Sequence, residues 1–312
     1  MHLIVHHWDT DGITSAALLI KALGMEGFTN MTAPIGEFRF DGRIWRVMDG
    51  VEKLYVLDFN VPGEVEKVKV PTLFIDHHTQ PKIKNPLVKQ VNPSLDGSYY
   101  PSCSLVVSEH FDTFNAWTAL GVAGDIGEKA FELEFVGKLL KEEGISKEEA
   151  LKLVELMDSN YIAMDRGAVE EAVMVLLENE IRELPDYEPW VKKAEAIRRA
   201  IEDALSVVEE RNGFAFSRFR SPYNVISKVA RRFVWGMKYR GAVVINEDFH
   251  GKAQLYFRVS PEVAEGFNMV NLIEGVRQLG ANAGGKREVL GCICEKGKVE
   301  EVLQLIESQM GW

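Results

Sequence analysis

The 312-residue chain carries 36 Lys+Arg against 47 Asp+Glu, a net charge of −11, and 46% hydrophobic residues, enough length for two ordinary domains and enough apolar content for full cores. The negative balance argues against non-specific wrapping of nucleic acid. No apolar run approaches the roughly 20 residues that span a bilayer, the amino terminus lacks a signal-peptide pattern, and three cysteines (Cys103, Cys292, Cys294) make no disulfide framework, so we expect a reducing cytoplasm and no membrane association.

In chain order, "LIVHHW" reads as a buried strand and "SAALLIKALG", Ser15 to Gly24, as a helix ending at a glycine. "KLYVLDFN" and "TLFIDHH" are short β-branched and aromatic runs that end in acids and histidines. "PSCSLVVSEHF" and "NAWTALGVAGD" look helical, and "SKEEALKLVELMDSNY" opens with a capping box, Ser146 with Glu149. This alternation predicts a parallel sheet with helices on both faces, in which ligands bind beyond the carboxyl ends of the strands. "EPWVKKAEAIRRAIEDALSVVEERN" reads as one long charged helix ending at Asn212-Gly213 and connecting two domains. Beyond it, "GFAFSRF", "GAVVINE" and "AQLYFRVS" look like strands, and "SPYNVISKVARRF", "NMVNLIEGVRQLG" and "EEVLQLIESQMG" like helices. The expected domains are therefore 1–187, a connector 188–212, and 213–312. Charge follows the division. Residues 206–312 hold 15 Lys+Arg and 12 Asp+Glu, net +3, which leaves −14 for the rest. An acidic front suits metal binding and a mildly basic back suits anions.

Six ligand candidates fall at strand ends or in short motifs: His7, Asp9, Asp11, Asp58, His77 and Asp125. Mixed carboxylate and imidazole donors suit Mn²⁺ or a similar divalent ion better than structural zinc, which favours thiolates. Six are too many for one catalytic ion with open positions. They fit two ions about 4 Å apart that share a bridging carboxylate. Two such ions activate water, polarise a phosphate and stabilise the leaving oxygen.

The spacings H-x-D-x-D-G-x-x-S (His7 to Ser15), L-D-F (Leu57 to Phe59) and D-H-H (Asp76 to His78) make the chain resemble the DHH phosphoesterase superfamily. That superfamily holds RecJ-like exonucleases, oligoribonucleases, cyclic-dinucleotide phosphodiesterases and a class of pyrophosphatases. The resemblance implies an α/β fold: a Rossmann-like parallel-sheet DHH domain, a helical connector, and a smaller α/β DHH-associated carboxyl-terminal domain. It implies that His7, Asp9 and Asp58 hold one ion, and that Asp11, Asp58, His77 and Asp125 hold the other, with Asp58 bridging. His78 would face the scissile phosphate, Asp76 would orient a histidine, and Ser15 would meet substrate at a helix amino terminus.

"GGKREVLG", Gly284 to Gly291, offers close backbone approach to an anion. It resembles the G-G-H-x-x-A-A-G hallmark of the associated domain, with Lys286 in the histidine's place and Val289 and Leu290 replacing the alanines. A lysine is a point charge suited to phosphate rather than to base recognition. "LYFRVS" resembles the strand that supplies an arginine and a serine there, here Arg258 and Ser260. The substrate contacts expected are Ser15, Arg258, Ser260, Gly284, Gly285 and Lys286. Arg218, Arg220, Arg231, Arg232 and Arg287 could extend an anionic track.

The leading expectation is a Mn²⁺-dependent exonuclease on single-stranded nucleic acid, with Mg²⁺ as the alternative ion and DNA favoured over RNA. The two-domain layout resembles archaeal RecJ-like proteins, especially the Hef-associated nuclease group. That implies 3′-to-5′ action, a role in repair or fork processing, and a fork-processing helicase–nuclease (Hef) as partner. Homo-oligomerisation stays open. A second reading keeps the chemistry and shrinks the substrate, to an oligoribonuclease, a 3′-phosphoadenosine-5′-phosphate phosphatase or a cyclic-dinucleotide phosphodiesterase. A third is an inactive scaffold, against which stands the retention of every expected ligand.

Overall fold

The computed structural model describes residues 1–24 and 26–310. The chain divides into two compact units, Met1–Tyr161 with Asp165–Ala194, and Ile162–Met164 with Glu195–Trp312. Among the described residues, no helix is long and apolar enough to cross a membrane.

Unit 1 is built on a parallel sheet of β1 (His2–His6), β2 (Phe28–Thr32), β3 (Lys53–Leu57), β4 (Thr72–Ile75) and β5 (Val88–Val91), in the order β2-β1-β3-β4-β5. The three central strands are continuous buried apolar runs (Leu3 to Val5, Leu54 to Leu57, Leu73 to Ile75), the pattern of parallel strands covered on both faces. Their register sets up the site. His6 lies opposite Leu57, and Leu57 opposite Ile75. The next residues along, His7, Asp58 and Asp76, therefore emerge level at one end of the sheet. Strands β2 and β5 lie at the edges. Their sequences, FTNMT and VKQV, are half polar because one side of an edge strand meets solvent.

The helix predicted from Ser15 begins earlier, at Thr10, and runs to Leu23. Asp9 is its N-cap, with its carboxylate accepting from Gly12 N–H. An aspartate in that position satisfies one of the helix's orphan donors, so the D-T-D-G motif is a helix start as well as a ligand source. A Cβ at Gly12 would lie 2.4 Å from the His7 carbonyl oxygen, and only glycine permits that approach.

Unit 2 holds a six-stranded sheet of β6 (Glu209–Arg211), β7 (Phe214–Phe219), β8 (Gly241–Phe249), β9 (Lys252–Val259), β10 (Asn282–Lys286) and β11 (Val289–Cys294), ordered β10-β11-β9-β8-β7-β6. β7 and β8 pair in parallel and the other neighbours antiparallel. Phe257, Leu290, Cys292 and Cys294 belong to its buried core, the two cysteines facing one side of β11 as their alternation predicts.

One expectation about elements is corrected. The long helix spans Glu188–Ser206 and stops short of residue 212. Asn212 and Gly213 do not cap it. Both have positive φ, 51° and 80°, and Arg211 pairs with Phe214, which is the two-residue hairpin turn that Asn-Gly favours. Gly284, Gly285 and Lys286 lie in edge strand β10, joined to β11 by a turn at Arg287-Glu288. A Cβ at Gly285 would come within 1.8 Å of the Val289 carbonyl oxygen, so this glycine is required by the hairpin itself.

Candidate metal centre

Eight side chains gather at the carboxyl end of the parallel sheet. His7 Nδ1 lies 2.8 Å from Asp9 Oδ2 and 3.7 Å from Asp58 Oδ2. His77 Nε2 lies 3.5 Å from Asp58 Oδ1 and 3.0 Å from Asp125 Oδ2. The donor atoms fall into three sets, each mutually within 4.8 Å: His7, Asp9 and Asp58; Asp11, His77 and Asp125; and Asp58, Asp76, His77 and His78. Asp58 reaches histidines on both sides. It leaves β3 with φ of 55°, a left-handed conformation that aspartate tolerates better than most residues.

Asp11, His77 and His78 are held from behind. Asp11 accepts from the backbone N–H groups of Cys103 (2.6 Å) and Ser104 (2.9 Å) at the start of the helix Cys103–Phe111. His77 Nδ1 lies 3.0 Å from the Tyr100 carbonyl oxygen. Donation there leaves Nε2 with its lone pair toward the acids, the usual arrangement of a ligand histidine. Asp76 Oδ1 accepts from His77 N, His78 N and His78 Nδ1, the last at 2.7 Å. His78 is 43% exposed, the most open of the histidines here.

The electrostatics are those of a cluster with excess negative charge. Burial, then the charges of Asp11, Asp9, Asp125 and Asp76, push the Asp58 carboxyl well above the ordinary carboxylate range. Burial and Asp125 push Asp11 up to about 7. Burial also works against ionised Asp9, but the His7 charge outweighs it and holds Asp9 down at about 2. Burial would lower His77, yet the Asp125 carboxylate 3.0 Å from Nε2 and the Asp11 charge raise it to about 9. Most telling are the orphans. Both oxygens of Asp58, a residue only 1% exposed, together with His7 Nδ1 and His77 Nε2, are buried without a hydrogen-bonded partner. Buried polar atoms are rarely left so. Carboxylate and imidazole atoms converging in this way fit divalent cations.

The substrate-side expectations fare differently. Ser15 sits in the second turn of its helix and is fully buried, so it offers no hydroxyl at a helix amino terminus. Starting the helix at Thr10 moved it inward. Ser260 is the N-cap of the helix Pro261–Ala264, its hydroxyl accepting from Val263 N–H. Arg258 is 6% exposed, its guanidinium 4.6 Å from the Trp235 ring and 3.9 Å from Glu288; it is packed rather than displayed. Gly284, Gly285 and Lys286 are exposed along β10.

Sequence reasoning missed two neighbours of the centre. Asp158, from the helix Lys147–Ile162, binds Thr10 between the two acids of the first motif. Nothing marks it among the acids of that helix. Phe38, 59% exposed, stacks near His7 and Phe59 at 6.0 and 5.8 Å. It lies in a loop without periodicity.

Residues 2–134 match the DHH family, N-terminal domain. No curated protein matches the chain. Among solved structures, the DHH domain of a member of a family of ribosomal proteins is similar over 99% of this chain and 86% of its own, at 17% identity and TM-score 0.70. RecJ from Thermus thermophilus, in complex with Mn²⁺, is similar over 98% of this chain at 16% identity and TM-score 0.68, and the chain spans 51% of it. The pGpG-specific phosphodiesterase PggH from Vibrio cholerae is similar over 99% of this chain and 98% of its own, at 14% identity and TM-score 0.58. At these identities the likeness establishes the fold.

Proposed function

From an amino-terminal DHH-family domain as premise, we propose that the chain is a divalent-metal-dependent phosphodiesterase acting as an exonuclease on single-stranded nucleic acid. The observation that carries this is the set of buried, unpartnered donor atoms on His7, Asp58 and His77, ringed by Asp9, Asp11 and Asp125. In this reading His7, Asp9 and Asp58 hold one ion, and Asp11, Asp58, His77 and Asp125 the second, with Mn²⁺ preferred and Mg²⁺ the alternative. When bound, the pair supplies Lewis acidity to the phosphoryl group and a more acidic water.

The chain's own residues do the rest. Asp58, shared between the two sets, fixes their separation. Asp76 holds His78 through Nδ1, which leaves Nε2 as the free ring nitrogen on an accessible side chain. There it hydrogen-bonds a phosphate oxygen or protonates the leaving oxygen. Gly284, Gly285 and Lys286, exposed on β10, contact substrate phosphates. DNA, attack from the 3′ end and a fork-processing helicase–nuclease partner complete the reading. They rest on the resemblance to the Hef-associated group.

A second reading follows from the pGpG phosphodiesterase, which matches this chain over nearly the full length of both; the Thermus thermophilus RecJ is about twice as long, but an exonuclease RecJ bound to manganese is matched over 89% of its own length. A Mn²⁺ digestion series separates the two, using single-stranded DNA and RNA of several lengths labelled at either end, with dinucleotides included. Stepwise shortening of long strands supports the exonuclease; cleavage confined to dinucleotides moves the chain to the small-nucleotide branch.

A further inference from the structure

Between Arg211 and Asn246 the sequence holds eight Lys or Arg and no Asp or Glu, inside a chain of net charge −11. Not all of that charge is free. Arg211 pairs with Glu209 and Glu307, Arg218 with Glu247 and Glu300, and Arg220 with Glu247. This removes Arg218 and Arg220 from the expected anionic track. The other five, Lys228, Arg231, Arg232, Lys238 and Arg240, make no ion pair among the described residues.

Those five are not scattered. Lys228, Arg231, Arg232 and Trp235 follow the i, i+3, i+4, i+7 spacing of one helical face. They lie along the helix Ile226–Arg231 and the π-helical turn Arg232–Gly236 that continues it. The opposite face, with Ile226, Val229, Phe233 and Val234, is buried. Trp235 is 50% exposed, and its ring is flanked by the guanidinium groups of Arg231 at 5.7 Å and Arg258 at 4.6 Å. Lys238 and Arg240 follow directly, both exposed.

We propose that this face of unit 2 binds single-stranded nucleic acid, with Trp235 as a base-stacking platform and Lys228, Arg231 and Arg232 on the phosphates. The proposal rests on the nucleic-acid reading above. Stacking on an aromatic ring beside unpaired cations is how sequence-tolerant single-strand binding works. A membrane surface fits less well, because insertion needs an amphipathic helix with its apolar face available, and here that face is inside the domain core.

The test uses the full chain in EDTA, so that no hydrolysis intervenes. Anisotropy of a labelled oligo(dT) of about 20 nucleotides is followed over a salt series for wild type, Arg231→Ala/Arg232→Ala, Trp235→Leu and Trp235→Phe, each checked for wild-type thermal unfolding. The double variant is expected to bind at least about tenfold more weakly, with a salt slope shallower by about 1.4, since each phosphate contact on a single strand contributes about 0.7. Trp235→Leu is expected to lose about tenfold with the slope unchanged, and Trp235→Phe to recover part of that loss. Wild-type affinity in both the double variant and Trp235→Leu, no binding of oligo(dT) by wild type, or tighter binding of phosphatidylserine vesicles or poly-glutamate than of oligo(dT) would each overturn the proposal. Loss of oligo(dT) binding in a chain that hydrolyses nothing with Mn²⁺ supports the surface and overturns the metal reading; the reverse combination does the opposite.

Discussion

Asp158 Oδ1 accepts two hydrogen bonds from Thr10, one from the backbone N–H at 3.1 Å and one from the hydroxyl at 2.8 Å. Thr10 stands between Asp9 and Asp11, so this pair anchors the first ligand motif to a helix that begins more than 130 residues later in the chain. Asp158 is a positioning residue. It acts through the helix start it holds.

Asp158→Ala should therefore lower kcat by about tenfold or more with little change in KM, since orientation is lost and binding groups remain. Loss of the Thr10 contacts should also cost about 1 kcal/mol, a few degrees of Tm for a unit of this size. Asp158→Asn keeps the Oδ1 acceptor and should restore most of both. A kcat for Asp158→Ala equal to wild type would show that the contact only stabilises the fold.

Gly121→Ala probes Asp11 without touching its carboxylate. A Cβ there would lie 2.2 Å from Ser104 Oγ and 2.5 Å from Asp11 Oδ1. Relief requires the Asp11 side chain or the helix Cys103–Phe111 to move. The expected outcome is about 1–3 kcal/mol of lost stability, with a clear loss of metal affinity measured by calorimetric titration. Unchanged Mn²⁺ affinity would separate Asp11 from the centre.

Metal should stabilise unit 1, because the ions bind only the folded cluster. At a hundred times Kd the gain is about 2.7 kcal/mol, read as a rise in Tm with Mn²⁺ that EDTA reverses. In the metal-free protein, Asp58→Asn removes a buried carboxyl crowded by four other acids. Asparagine also tolerates the positive φ of that position. The metal-free variant should melt higher than metal-free wild type and show little or none of the Mn²⁺-induced rise.

Asp41 gives a pH-dependent test away from the centre. Burial opposes its charge, but the hydrogen bonds from Arg166 and Ile44 N–H outweigh it and lower its pKa. A carboxyl lowered in the folded state adds stability that is present above its unfolded value and lost as pH falls through the folded one. The Tm gap between wild type and Asp41→Asn should be full at pH 6–7 and should narrow below about pH 4. A gap constant down to about pH 3 would mean the ion pair contributes nothing.

The metal-centre candidates were legible because parallel strands carry their ligands at their ends. Three apolar runs each stop at His or Asp, and register alone brings His7, Asp58 and Asp76 level. Unit 2 was less legible where local signals compete. "VVEERNG" continues a charged helical pattern up to Asn212, and only the pairing of β6 with β7 turns Asn-Gly into a hairpin. Gly285 answers to the packing of the β10–β11 hairpin. Burial, which no spacing reveals, took Ser15 and Arg258 off the surface.

The most direct measurement compares wild type and Asp58→Asn on an end-labelled single-stranded oligonucleotide with Mn²⁺, Mg²⁺ or EDTA. Wild type should shorten the strand only with a divalent ion, and Asp58→Asn should be slower by at least about a thousandfold, the scale of losing one group from a unit that acts together. Cleavage by Asp58→Asn at the wild-type rate, or by wild type in EDTA, would contradict the assignment of this cluster as the phosphodiesterase centre.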